Sequence, residues 1–239
     1  MKVSIIIPAY NEEQYIGDTL RAVLAQNHPD IEIIVVDNNS TDRTKDKVRE
    51  FSGIRLVEEK RRGVQWARER GRQEAQGEII ANLDADCLPD TAWVEKALCY
   101  FDNSSVVAVS GPYDYYDGAP VFRTASSFIQ RFCFNILHRI AYHLFGRGVF
   151  VMGGNLFICA DALQKIGGYN TSIAFYGDDT DTANRLLSVG KVLYRNDVTV
   201  KSSARRFERM GALTIFWKYM INFFWVAIFN RPYHAKLLE

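Results

Sequence analysis

The chain reads as an α/β protein built on a mostly parallel, twisted sheet with helices on both faces. Two observations predict this. Short β-rich runs alternate with helical patterns through the first 110 residues, as successive βαβ units do. Of the 239 residues, 48% are apolar, enough to bury a sizeable core in one generous domain or in a domain with an appendage.

Taken in order, residues 3–8 form the first strand, and Asn11 stands where a helix cap is wanted, with Gln14 three residues on as a partial capping box. Residues 31–37 are the next strand, followed by a Ser/Thr/Asp-rich helix start, and residues 54–58 the third. A helix over 64–75 is ended by Gly77, and a fourth strand runs over 78–84. A helix over 91–101 and a fifth strand over 106–110 complete the alternation. Residues 120–150 are helical, basic and aromatic, strand and helix patterns return over 155–194, and 211–229 is strongly apolar and aromatic. The expected organisation is a main domain over 1–200, divided into a first half, 1–110, and a second half, 111–200, that carries the basic helical insert near 120–150. A basic, aromatic, amphipathic helical appendage follows over 201–239.

The chain nets only +1, but the charge is uneven. From Lys201 onward seven Lys or Arg face two acids, and no Asp or Glu falls between Asp117 and Asp161, where Arg123, Arg131, Arg139 and Arg147 lie. No nucleic-acid partner is expected. The four cysteines, Cys87, Cys99, Cys133 and Cys159, are widely spaced with no C-x-x-C pair, which argues against a disulfide framework or zinc site and for a reducing compartment. The first residues enter a strand pattern at once, with no signal-peptide pattern, so the cytosolic side is the expected location.

Ligands of open α/β sheets bind beyond the carboxyl ends of the strands. Three such ends carry distinctive residues, Pro8-Ala9-Tyr10, Asp37-Asn38 and Asp84-Ala85-Asp86, and all three should open on one rim. Two carboxylates flanking a small residue suit a divalent ion and a ribose hydroxyl, since Mg²⁺ or Mn²⁺ takes carboxylate oxygens together with substrate phosphates. Asp37 is placed to accept an N–H from a base edge. Asp178-Asp179 open a helical pattern, where Asp179 is a candidate general base with Asp178 as its neighbour. Each pair also has a plainer reading as turn, cap or helix-dipole carboxylates.

The motifs taken together carry a resemblance. Val3-Ser4-Ile5-Ile6-Ile7-Pro8-Ala9-Tyr10-Asn11-Glu12, then Glu32 to Asp42, Gly77 to Asp86, Gly153-Gly154-Asn155 and Tyr176-Gly177-Asp178-Asp179-Thr180-Asp181 stand in the order found in family 2 glycosyltransferases of the GT-A fold. The resemblance covers roughly residues 1–195 and implies an inverting, metal-dependent transfer of a sugar from a nucleoside-diphosphate donor to an acceptor hydroxyl. It places the base near Ala9, Tyr10 and Asp37, with Pro8 and Glu12 in the same loop, ribose contacts at Asp84 beside Ala85, and Mg²⁺ or Mn²⁺ on Asp86 with Asp84. It further implies nucleotide contacts at Gly63 and Arg68, substrate contacts at Gly154 and Asn155, and a catalytic base at Asp179 beside Asp178. Three departures stand out: Asn38 where a second Asp is common, Glu69 where an Asn is usual, and Asp178 where a Glu is common.

Arg205 and Arg206 are candidates for bidentate contacts to the leaving diphosphate, with a solvated or membrane-facing patch as the alternative. His138 and His143 read as helical residues with no direct chemistry. A sugar-phosphate nucleotidylyltransferase would want a Gly-rich, basic loop after the first strand, and a dinucleotide-binding oxidoreductase would want G-x-G-x-x-G there. Pro8-Ala9-Tyr10-Asn11 is neither. A nucleotide-sugar-binding protein without catalysis is the non-enzyme alternative. The basic, aromatic segments 120–150 and 211–229 suit the cytosolic surface of an anionic membrane, with packing in the core or in a homo-oligomer interface as the alternative. The membrane reading admits a lipid-linked or cell-envelope glycan acceptor.

Overall fold

The computed structural model describes residues 1–140, 150–173 and 177–211, together with 214, 215, 217, 218, 221 and 225. In chain order the elements begin β1 (Val3–Ala9), α1 (Ile16–Leu24), β2 (Ile31–Asp37), α2 (Thr44–Arg49), β3 (Ile54–Glu58), α3 (Val64–Glu74) and β4 (Ile79–Leu83). They continue with β5 (Cys87–Pro89), α4 (Trp93–Leu98), β6 (Val106–Ser110), β7 (Tyr113–Tyr115) and α5 (Pro120–Phe128). A π-helical segment, Ile129–Phe134, joins α5 to α6 (Asn135–Ile140). The remainder is β8 (Asn155–Cys159), α7 (Ala160–Lys165), α8 (Asp178–Leu186), β9 (Lys191–Tyr194), β10 (Val200–Ser202) and α9 (Arg205–Met210).

The main sheet has the order β3-β2-β1-β4-β8-β6-β9. Strands β1, β2, β3 and β4 are parallel, as the alternation predicts, while β8 runs antiparallel between β4 and β6. That one reversal matters for function. An antiparallel strand begins where its neighbour ends, so residues just before Asn155 lie beside the carboxyl end of β4. A smaller sheet, β5-β10-β7, flanks the same rim.

Alternation of side chains along β1 divides the core between the two faces. Val3, Ile5, Ile7 and Ala9 pack on one side with α1 residues Ile16 and Leu20, and with Trp93. Ile6 packs on the other with Ile34, Ile80 and Ala67. Trp93 and Phe157, both fully buried, meet with ring centroids 4.4 Å apart.

Several local expectations are corrected. Asn11 does not cap α1, which starts at Ile16 after Tyr15. Asn11 instead takes a positive φ of 55°, and its Oδ1 accepts from the Thr41 N–H at 2.8 Å. The loop 11–13 is tied to the loop after β2 through Ser40, Asp42 and Thr44, so tertiary hydrogen bonds delay the helix. Gly77 is not the stop of α3; Ala75 is already extended, and the Gly77 N–H donates to Ser4 Oγ on β1 at 2.7 Å. The helix expected over 91–101 shortens to α4: Asp90 holds the turn before it, and the Tyr100 and Phe101 N–H groups bond three residues back to Ala97 and Leu98. The proposed boundary at residue 200 runs through β10, which pairs with β5 and β7. His143, Arg147 and most of 211–229 lie outside the described residues.

Candidate active site

The rim at the carboxyl ends of β1, β2 and β4 is where the predicted residues gather. Ala9 pairs in register with Asp37, and Asp37 with Glu58. Beyond these ends lies a cleft of about 410 Å³ lined by Asp37, Asn39, Ser40, Glu58, Lys60 and Arg62, among others. Asp37 is buried; its Oδ2 accepts from the Ser40 N–H, and its Oδ1 has no hydrogen-bond partner among the described residues. A buried acceptor left open at a cleft wall is suited to an N–H from a ligand. Tyr10 is exposed beside it, with the Arg62 guanidinium 5.5 Å from its ring centroid. Pro8 and Ala9 close β1, and the Ala9 carbonyl accepts from the Asn38 N–H.

Asn38 explains its own departure from the family pattern. Its amide donates to the carbonyls of Glu59 and Arg61, and its Oδ1 accepts from the Gly63 N–H at 2.8 Å. An aspartate there has no donor for the two carbonyls. Gly63 therefore enters as a loop position with φ 129° rather than through any side chain. Glu69 is likewise structural, bonding Arg72, Gln73 and the Tyr169 N–H.

The centre of the site is Arg68, on α3. Its Nη1 reaches Asp178 and Asp179 at 3.2 Å each, and its Nη2 reaches Asp84 at 3.4 Å. Burial alone would lower its pKa, but Asp179, Asp84 and Asp178 outweigh that and raise it, so the guanidinium stays charged. The resemblance places Arg68 against the nucleotide; here it is nine-tenths and more buried, and it joins the first carboxylate of Asp84-Ala85-Asp86 to the pair that opens α8. Ala85 is buried, and its carbonyl accepts from Thr19 on α1, fixing the turn that carries the two acids.

The two members of the α8 pair differ. The Asp178 side chain is 10% exposed and is held by Arg68 and by Gln65 Nε2 at 2.5 Å. The Asp179 side chain is 30% exposed; its Oδ2 accepts the Gly153 N–H at 3.1 Å. Burial, then the neighbouring charge of Asp178, push the Asp179 carboxyl up to about 7, against the pull of Arg68. It is the more accessible of the two acids.

Gly153 and Gly154 are there for space. A Cβ on Gly153 would sit 1.9 Å from an Asp179 carboxylate oxygen, and one on Gly154 would sit 2.1 Å from Asp84 Oδ2. The antiparallel start of β8 thus brings bare backbone against both acids. Asn155, expected to bind substrate, is fully buried instead. Its amide donates to the carbonyls of Pro112 and Val198, and its Oδ1 accepts the Trp93 indole N–H, which uses its polar groups structurally.

Asp86 and Glu12 form a second acidic group, with Arg205 of α9 between them. Arg205 Nε donates to Asp86 Oδ2 at 3.1 Å, its Nη2 donates to Glu12 Oε1, and its guanidinium lies 4.3 Å over the Tyr15 ring. Burial raises the Glu12 carboxyl to about 7, helped by Asp86 and Asp84 and opposed by Arg205. Asp86 is raised by burial and by Asp84, and lowered by Arg205 and Arg206. Arg206 itself is exposed. Among the described residues no three acid, His or Cys groups are preassembled around a common point. The donors nevertheless fit a hard divalent ion: all are carboxylate oxygens, and Glu12 Oε2 is buried without a partner among the described residues.

Sequence reasoning missed three contributors. Gln65 lies three positions before Arg68 on α3, a spacing that puts both on one helix face and so was readable. Tyr113, whose hydroxyl donates to Asp84 Oδ2 at 3.3 Å, and Tyr15, under Arg205, carry no sequence signal; the fold brings them in.

Comparison with known proteins places this geometry. The model of glycosyl transferase family 2 matches residues 4–167. The glycosyltransferase AglE of Haloferax volcanii is 31% identical over 87% of this chain and 69% of its own length. The Escherichia coli protein named UDP-Glc:alpha-D-GlcNAc-diphosphoundecaprenol beta-1,3-glucosyltransferase WfgD is 41% identical over 40% of this chain and 38% of its own length. The solved mannosyltransferase PcManGT from Pyrobaculum calidifontis, in complex with GDP-Man and Mn²⁺, superposes with a TM-score of 0.73 over 95% of this chain and 64% of its own, at 24% identity. The chain thus spans about two thirds or less of the length of these relatives, and the structural likeness shows the GT-A fold. With the sheet, the acidic rim and a family match over most of its length, the chain belongs to glycosyl transferase family 2.

Proposed function

We propose that the protein transfers a sugar from a nucleoside-diphosphate donor to an acceptor hydroxyl by single displacement with inversion at the anomeric carbon. The observation that carries this reading is the Arg68 cluster, which holds Asp84 on the donor side and Asp179 on the acceptor side within reach of one guanidinium. Donor and acceptor bound on that rim meet at Asp179. Its carboxylate takes the acceptor proton as the oxygen attacks the anomeric carbon, and the bond to the diphosphate breaks with its electrons on the departing phosphate oxygen. Asp178 holds Arg68 and raises the basicity of Asp179, acting as a positioning residue. Tyr10, Asp37 and the cleft after β2 take the base; Asp84 takes the ribose.

Asp86, with Asp84 and Glu12, would hold Mg²⁺ or Mn²⁺, which supplies charge neutralisation to the leaving diphosphate when bound. Arg206, exposed beside Asp86, supplies further positive charge toward that end. PcManGT was solved with Mn²⁺, which supports a divalent ion in this site.

The acceptor is read as lipid-linked, presented at an anionic membrane surface. Val121, Phe128, Phe132, Ile136 and Ile140 are exposed along the continuous helix 120–140, with Arg123 and Arg139 exposed beside them. Residues four apart drift around an α-helix, but the wider turn of the π segment Ile129–Phe134 offsets that drift and keeps the four from Phe128 to Ile140 near one line. Such a face, apolar and basic without acids, suits an anionic bilayer. WfgD is named for a diphosphoundecaprenol-linked acceptor, which agrees with this. No helix among the described residues is long and apolar enough to cross a membrane.

The test is donor turnover with a polyprenyl-diphosphate-sugar acceptor in anionic vesicles, with and without chelator. Metal-dependent transfer giving the inverted anomer is expected. Retention of the donor's configuration, or full activity with excess chelator, sinks the mechanism.

A further inference from the structure

Arg205 holds a position that the acidic site would otherwise offer to a metal ion. It bonds Asp86 through Nε and Glu12 through Nη2, and it rests on the Tyr15 ring. Its side chain is 24% exposed, so it is reachable by solvent and ligand. The backbone that carries it is pinned: Asp117 accepts from the Ala204 N–H and the Ser203 hydroxyl, and Phe207, two residues on, packs against Tyr115 and Phe122. Movement of Arg205 therefore needs only rotation of its long side chain about a fixed attachment. A guanidinium is also the group that fits a diphosphate by two parallel hydrogen bonds.

We infer that Arg205 is an internal counter-ion which a divalent metal displaces from Glu12 and Asp86, and which then turns to the donor's diphosphate. This rests on Asp86 being the metal position, as read above. The charges favour the exchange: the +2 ion neutralises two carboxylates that a +1 guanidinium only half compensates, and the freed guanidinium meets the phosphate oxygens. Glu12 Oε2, buried and with no hydrogen-bond partner among the described residues, is a carboxylate oxygen left open to the ion. Metal alone must break the Arg205 contacts with nothing returned to Arg205. Metal together with nucleotide gives it a new partner. The two ligands should consequently bind cooperatively, and reciprocally so.

The measurement is Mn²⁺ binding followed by the loss of the free-ion EPR signal, with and without nucleoside diphosphate, on the full chain. Arg205→Gln should bind Mn²⁺ alone about tenfold more tightly than the wild type, because the competing cation is gone. The enhancement of Mn²⁺ affinity by nucleotide, expected at roughly 5- to 150-fold for a coupled pair, should shrink severalfold in that variant, leaving the part that direct contact between metal and phosphate supplies. Arg205→Lys keeps a charge but cannot bridge both acids, and it should fall between the two. It carries the test if Arg205→Gln folds poorly. Unchanged or weaker Mn²⁺ binding in both variants overturns the exchange. Asp86→Ala separates the two ideas: if it binds Mn²⁺ with nucleotide as the wild type does, the metal assignment fails and the exchange with it. If Asp86→Ala loses Mn²⁺ while the Arg205 variants bind as the wild type does, only the exchange fails.

Discussion

Arg68 and Arg205 each face acidic side chains across the same rim, yet they sit in unlike surroundings. Arg68 projects from an 11-residue helix packed on β1 and β2, with a side chain 5% exposed and three carboxylates within 3.4 Å. Arg205 projects from the six-residue α9, is 24% exposed, and faces two. A buried charge that neutralises three acids cannot leave without exposing all of them to a low-dielectric interior. A half-buried one at the edge can be traded for another cation. The contrast separates what is fixed in this site, the link between Asp84 and the Asp178–Asp179 pair, from what changes as the donor arrives.

The largest expected effect comes from removing the fixed member. Arg68→Met should destabilise the fold by about 3–5 kcal/mol, a fall in Tm on the order of 10 °C by thermal melt. Arg205→Gln should shift Tm far less. Equal losses from the two would erase the distinction drawn between them.

Next in size is the space opened by β8. Gly153→Ala forces Asp179 away from the Gly153 N–H and should lower kcat by about 10²-fold through misplacement of the base. Donor KM should change little, since the base pocket is on the far side of the rim. A variant with full kcat would show that Asp179 need not sit where the structure has it.

The smallest effect is a shift in pH profile. Asp179 must be unprotonated to accept a proton, so kcat should fall as pH drops below about 7. Asp178→Asn removes the nearby negative charge that raises Asp179 and should move this acidic limb to lower pH. The limb will stay in place if Glu12, also raised to about 7, is the group that controls it.

The parallel half of the sheet was legible in the sequence because each strand is a short apolar run ended by a polar group, and β2 and β3 fall on the expected residues. Helix ends were not. The start of α1 is set by bonds to Ser40, Asp42 and Thr44, some thirty residues away, which no local pattern records. Candidate acids were legible too, since Asp37 and Asp84 stand at strand ends and Asp178 and Asp179 at a helix start. Their grouping was not: nothing in the local pattern shows that Arg68 binds three acids or that Asn155 ties Trp93 to two carbonyls. The first joins α3 to the start of α8 more than a hundred residues on, and the second depends on the antiparallel placing of β8, a topological fact that strand periodicity leaves open.

The central claim is that Asp179 is the base that deprotonates the acceptor. The direct measurement is Asp179→Asn, in which shape is kept and the acceptor of the proton is lost, assayed for nucleotide-sugar affinity and for single-turnover transfer. Donor affinity should stay within a few-fold of wild type while the transfer rate falls by about 10²–10⁴-fold. Normal turnover in Asp179→Asn alongside an inactive Asp178→Asn would contradict the account and move the base to the neighbouring acid.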